Sequence, residues 1–149
     1  MTFLFYSGYH CSMSLGMEDG RIHDAAISAS TSVNGNHAAK LGPLNLVASS
    51  GKAGAWCAKS RDNKQWLQID LGTPTTVTRV ATQGRQGSSQ WVTSYSLSYS
   101  LTGSYWVRYT VRGKKKVMTI AQFRYIKIQS STKGIVSRLK GINPYKSLY

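Results

Sequence analysis

The run Trp66-Leu67-Gln68-Ile69-Asp70-Leu71-Gly72 alternates strictly between two kinds of side chain. Trp66, Gln68, Asp70 and Gly72 fall on one side of an extended chain, and Leu67, Ile69 and Leu71 on the other. A period of two with one side aliphatic predicts a strand with one face in a core. Thr73-Pro74 is expected to end it, because proline has no N–H to give to a ladder. A β-branched run from Thr75 to Thr82 (TTVTRVAT) predicts the next strand. Trp91–Leu101 (WVTSYSLSYSL) predicts another, with Trp91, Thr93, Tyr95, Leu97, Tyr99 and Leu101 on one face. No long segment carries helical periodicity, so the pattern points to an antiparallel β-sandwich.

The rest of the chain fits that plan. Asn34-Gly35 is a turn signal, His37–Leu41 a short helical candidate stopped by Gly42-Pro43, and Asn45–Ala55 a loop. Asp24 either caps a helical turn, or the alternation of Ala25, Ile27 and Ala29 leads into a strand. Trp56-Cys57 reads as buried. Gln83–Gln90 is a polar loop, Thr102-Gly103-Ser104 a tight turn, and Tyr105–Val111 its hairpin partner. Arg124–Gln129 alternates as a strand, and Ile135–Ile142 is a candidate last strand. Residues 1–10 read as a frayed start and 11–149 as one domain. Met1–Tyr9 is apolar but short, with no basic leading region, and makes a poor signal peptide.

With 149 residues and 41% hydrophobic content, the chain can bury a core. No apolar run approaches a membrane span. Its 19 Lys+Arg against 5 Asp+Glu give a formal charge of +14. All the acids precede Gly72, and every charged residue after Ser100 is basic, including Lys114, Lys115 and Lys116. Such a field favours anionic partners: lipid headgroups, sulfated glycans or nucleic acid. The tyrosines of the basic half are accounted for as strand residues, which disfavours nucleic acid. Five scattered acids, three histidines and no nucleophile motif exclude an enzyme reading. No Cys/His cluster offers a metal site, and no cofactor motif is present.

Five segments in order carry a resemblance: SLGMEDGRI (Ser14–Ile22), GAWCAKSRDNKQWLQIDLG (Gly54–Gly72), VATQGR (Val80–Arg85), QWVTSYSLSYSLTGSYW (Gln90–Trp106) and RYIKI (Arg124–Ile128). Together they resemble a discoidin domain, also called the coagulation factor V/VIII type C domain. The resemblance implies an all-β, distorted jelly-roll sandwich of the galactose-binding-like type. It implies a non-catalytic binding and adhesion module of extracellular or cell-surface proteins. The ligands it implies are carbohydrate (lectin-like), glycosylated cell-surface or matrix protein, or anionic phospholipid. Three loops at one end would bind: Thr31–Asn36, Ser49–Ala53 and Gly84–Gln90. Their candidate residues are Asn34, Asn36, His37, Lys52, Arg85, Gln86 and Ser88. Arg85 suits a carboxylate, sulfate or phosphate, or else braces its own loop through Asp62. His37 either meets ligand or simply starts the HAAKL segment. Trp66, Asp70 and Trp91 are structural positions of the strand motifs. The loop tips lack the large apolar residues of membrane-inserting members, with only Val33 at the first.

The sequence departs from the family in two places. Cys11 and Cys57 lack the cysteines their family counterparts pair with, so they either pair with each other or stay free, and free thiols are the expectation, since neither sits opposite its family partner. Between Tyr109 and Arg124 the chain is shorter than the family pattern, as though a strand or hairpin were deleted, which would bare a sheet edge.

Overall fold

The computed structural model of the chain describes residues 2–7, 13–77, 79–109 and 120–130. They form eight strands: β1 (Thr2–Ser7), β2 (Met13–Ser14), β3 (Ile27–Ala29), β4 (Trp66–Val77), β5 (Arg79–Gln83), β6 (Tyr95–Ser100), β7 (Val107–Tyr109) and β8 (Ile120–Ser130). Five assemble in the order β3-β4-β8-β6-β7 and three in the order β2-β1-β5, every pairing antiparallel. The architecture is the expected all-β jelly-roll sandwich.

β4 is an interior strand of the larger sheet. It pairs with β3 on one side and β8 on the other. Leu67 and Ile69 are 0% exposed, while Trp66, Gln68 and Asp70 are only partly buried on the opposite face. Ile126 and Ile128 of β8 lie across from Ile69 and Leu67. These four join Met17, Ile27, Trp56, Val77 and Phe123 in one core, and Val80 of β5 packs on it from the smaller sheet. Burial of each large aliphatic side chain contributes on the order of 1.5–3 kcal/mol, enough to fix the register.

Several expectations are corrected. Thr73-Pro74 does not end the strand. The ladder steps from Asp70↔Tyr125 to Thr75↔Phe123, so β4 carries extra residues opposite a short stretch of β8. Gly72 turns through φ +79 inside this irregularity, where a proline withholds no ladder bond. Of the predicted Thr75–Thr82 strand, Thr75–Val77 belongs to β4, while β5 crosses to the other sheet. The start of the chain is not frayed between Thr2 and Ser7. That β-prone run pairs with β5 from Thr2↔Gln83 to Tyr6↔Arg79, supplying a partner along the edge of the crossing strand. The Trp91–Leu101 strand is shorter than expected, with Trp91–Ser94 in a loop and Leu101 58% exposed in the turn. Helix and strand both occur after His23: a 3-10 turn at Asp24–Ala26, its N-cap His23 rather than Asp24, runs into β3. The helical candidate at His37–Leu41 becomes two 3-10 turns, Gly35–His37 and Ala39–Leu41.

Cys57 is a free thiol; Cys11 lies outside the described residues. So do Lys114, Lys115, Lys116 and the candidate strand Ile135–Ile142, along with most of the shortened segment before β8.

Candidate ligand-binding site

The first loop leaves β3 and is laced to the chain that follows it. Trp56 Nε1 donates to Thr31 O at 2.9 Å, Val33 N to Cys57 O at 3.0 Å, and Cys57 N to His37 O at 3.2 Å. Gln65 gathers Ser30 and Thr31 through its side-chain oxygen and donates to Asp62 at 2.8 Å. At the tip, Asn34 Oδ1 accepts from Asn36 N at 3.0 Å and lies 2.8 Å from His37 Nδ1. Asn34 thus caps the 3-10 turn and orients the imidazole with one atom. Asn34 and Asn36 are exposed, and their free amide groups suit hydroxyl-bearing ligands.

The second loop is a tight turn closed by Lys52 N donating to Ser49 O at 2.8 Å and Ser49 N to Lys52 O at 3.1 Å. Ala53 N donates to Asn36 O at 2.9 Å and ties this loop to the first. Lys52 is exposed, and no ion pair holds it among the described residues. Gly54, at φ +62, packs so closely that an added Cβ would sit 2.6 Å from Leu46 O.

The third loop is clasped by one residue pair. Arg85 N donates to Gln90 O and Arg85 Nη1 to Gln90 Oε1, each at 2.9 Å. Arg85 therefore braces its loop through Gln90, not through an ion pair with Asp62. Asp62 instead accepts from Gln65 Nε2 and Lys64 N, which hold its carboxyl below the usual carboxylate range. Arg85 Nε is buried and has no partner among the described residues. A buried guanidinium N–H left unpaired is costly, so it is a donor ready for an acceptor. Arg85 also borders a cavity of about 70 Å³ whose apolar walls include Trp56, Trp91 and Ile128, with Asp62 and Gln90 at its polar side. Trp91 is thus a cavity wall rather than a strand residue.

The structure brings together Asn34, Asn36, His37 and Arg85. Burial first, and the positive charge of Arg85 second, push the His37 imidazole below its ordinary value. At neutral pH it is uncharged, one ring nitrogen facing Asn34 and the other available to a neutral ligand. Gln86 borders a second cleft of about 180 Å³ with Asn45 and Gly54, which connects the second and third loops. Ser88 is exposed in the third loop, and among the described residues no hydrogen bond joins it to the others. Lys52 lies on the same rim without a side-chain link to Arg85.

Sequence reasoning missed Gln90 and Gln65. Each is one polar residue in a polar stretch, and only the loop closure shows what its amide holds. It also missed the cavity floor, since residues from positions 56, 91 and 128 meet only through the fold.

The sequence model of the F5/8 type C domain matches residues 26–140. The chain belongs to the F5/8 type C domain family. It is 38% identical to mouse lactadherin over 112 residues, covering 72% of this chain and 24% of that protein. It is 44% identical to mouse coagulation factor V over 102 residues, covering 66% of this chain and 5% of that one. The structure is similar to discoidin II from Dictyostelium discoideum, with a TM-score of 0.56, 26% identity, and coverage of 74% of this chain and 51% of the other. The chain thus spans about half of the discoidin II chain and a quarter or less of the two curated relatives. The family match and its relatives support reading the chain as a binding module. Among the described residues no helix is long and apolar enough to cross a membrane.

Proposed function

We propose that this F5/8 type C domain is an extracellular, non-catalytic adhesion module that binds glycans, free or on cell-surface or matrix proteins, through the rim formed by its first and third loops. The observation that carries this reading is the pairing of a buried, unspent donor at Arg85 Nε with the neutral polar group of Asn34, Asn36 and His37 beside it. Sugar hydroxyls and ring oxygens are acceptors and donors of the right kind. The indole of Trp91, only partly buried, gives apolar surface for the face of a sugar ring.

The test is titration of galactose and of a galactose-terminated glycan by calorimetry. Arg85→Ala is expected to abolish measurable binding while leaving a cooperative melt. Unchanged affinity in that variant would reject the site.

Anionic phospholipid is the second reading, favoured by Val33 and Val47, 49% and 65% exposed on the first loop and before the second. Both are modest apolar groups, and Lys52 beside them adds one cation. Vesicles containing phosphatidylserine test it: Val33→Ser with Val47→Ser would release the protein from them, and undiminished vesicle binding by the pair would remove this reading.

A further inference from the structure

The face of the larger sheet turned away from the core carries an arrangement that the loop site does not use. Leu97 and Tyr99 of β6, Ile126 and Ile128 of β8, Leu67 and Ile69 of β4 and Tyr109 of β7 all pack on the core. Side chains alternate along a strand, so Ser98, Lys127, Gln68 and Arg108 share the opposite face. The register then sets them side by side. Gln68 is opposite Lys127, Lys127 opposite Ser98, and Ser98 opposite Arg108. The four form one row across β4, β8, β6 and β7, with the Cα atoms of the two basic residues about 10 Å apart at two strand spacings. Lys127 Nζ is 3.9 Å from the centre of the Trp106 ring and 4.8 Å from that of Trp66. The ammonium is held between two indoles rather than free to sweep through solvent. Trp106 is fixed in turn by Nε1 donating to Gly103 O at 2.9 Å.

Neither Lys127 nor Arg108 has an ion pair among the described residues. The one acid at this level of β4, Asp70, is taken by Arg124, which donates to it twice at 2.8 Å. The row is therefore uncompensated positive charge on a flat polar strip, with a hydroxyl between the cations and a tryptophan at either side of Lys127.

We propose that this row is a second binding surface, distinct from the loop rim, and that its ligand is an acidic oligosaccharide carrying sulfate or uronate groups. Two cations separated by a hydroxyl match negative groups on successive sugar rings with a ring hydroxyl between them. Amide and hydroxyl neighbours at Gln68, Ser98 and Gln129 match the remaining sugar hydroxyls, and the outer edges of the indoles meet ring C–H groups. A lipid surface would call for an apolar side chain between the cations, where the row instead places the hydroxyl of Ser98. Partial burial of Lys127 holds its ammonium below the usual lysine value.

The experiment uses the whole chain, a sulfated heparin-derived hexasaccharide and its fully desulfated counterpart, with affinity measured at low and at physiological salt. The sulfated sugar is expected to bind, the desulfated one not, and affinity to fall as salt rises. Arg108→Gln and Lys127→Gln are each expected to weaken binding about threefold to tenfold, while Arg85→Ala leaves it intact. Arg108 is exposed on an edge strand, so its variant carries the test even where Lys127→Gln lowers the melting temperature. Wild-type affinity in both glutamine variants would overturn the proposal and assign binding to charge elsewhere. Loss of binding in Arg85→Ala would overturn it by merging the two sites. Binding to phosphatidylserine vesicles with none to the hexasaccharide would overturn the choice of ligand.

Discussion

The loop rim and the outer face of the larger sheet are built in opposite ways. The rim is built from backbone: Asn34, His37 and Arg85 owe their positions to turns, caps and hydrogen bonds between loops. Its groups are mostly uncharged, and its one buried cation is half spent on Gln90. The sheet face is built from register: Lys127, Ser98 and Arg108 are aligned because their neighbours on the other side of each strand fill the core. A site made from loops can be lost by one strained turn, whereas a site made from a sheet is lost only when the sheet is. The first therefore offers shape and hydrogen-bond selectivity, and the second charge on a rigid base.

Substitutions separate the two. The largest effect is expected from Leu67→Ala, which empties a fully buried position on an interior strand of the larger sheet. It should cost about 2–5 kcal/mol, read from the denaturant midpoint, and both binding activities should weaken together as the folded fraction falls. Next is Gly54→Ala. The added methyl meets Leu46 O at 2.6 Å and Ala48 N at 2.8 Å in a left-handed backbone. A loss of about 1–3 kcal/mol is expected, with sugar affinity at the rim falling and hexasaccharide affinity on the sheet face kept. Equal losses in both assays would erase the distinction between the regions.

The smallest effect is in pH. His37 is held below its ordinary value of 6.5, so on acidification the unfolded chain takes up a proton before the folded one. Stability should therefore fall as pH drops through the ordinary value and level off once the folded-state value is passed. His37→Gln should flatten the melting temperature between about pH 7 and pH 5. An identical profile in both proteins would show that the imbalance lies elsewhere. Asp70, on the sheet side, acts in a lower window. Its carboxyl is held below 3.8 chiefly by the Arg124 hydrogen bonds, so its contribution is complete above that value and lost as pH falls through the folded-state value. Asp70→Asn should remove that acid limb and leave the His37 limb untouched.

Fold class was legible in Trp66–Gly72 and Arg124–Gln129 because alternation is a local record of which side chains a core will take. Strand ends were less legible. Pro74 reads locally as a stop, but a bulge around Gly72 lets β4 continue to Val77. Thr2–Ser7 reads as a loose start until β5 is placed beside it. At the site, the loop residues were legible as types and the family pattern gave their order. Their partners were not, because Gln90 and Gln65 look like any polar loop residue until the loops close.

Tryptophan shows the same division. Of the four, only Trp56 is buried, at 6% exposure. Trp91 walls a cavity, and Trp66 and Trp106 hold a lysine on the outside of the sheet. Side-chain chemistry, periodicity and turn propensity are properties of short stretches, so the order of residues alone carried the sandwich, the strand faces and the excess of positive charge. Which residues meet across distant strands depends on register, crossover and loop closure, and these are set by how the whole core packs. The Arg85–Gln90 clasp, the cavity behind it and the Lys127–Ser98–Arg108 row exist only once that packing is complete.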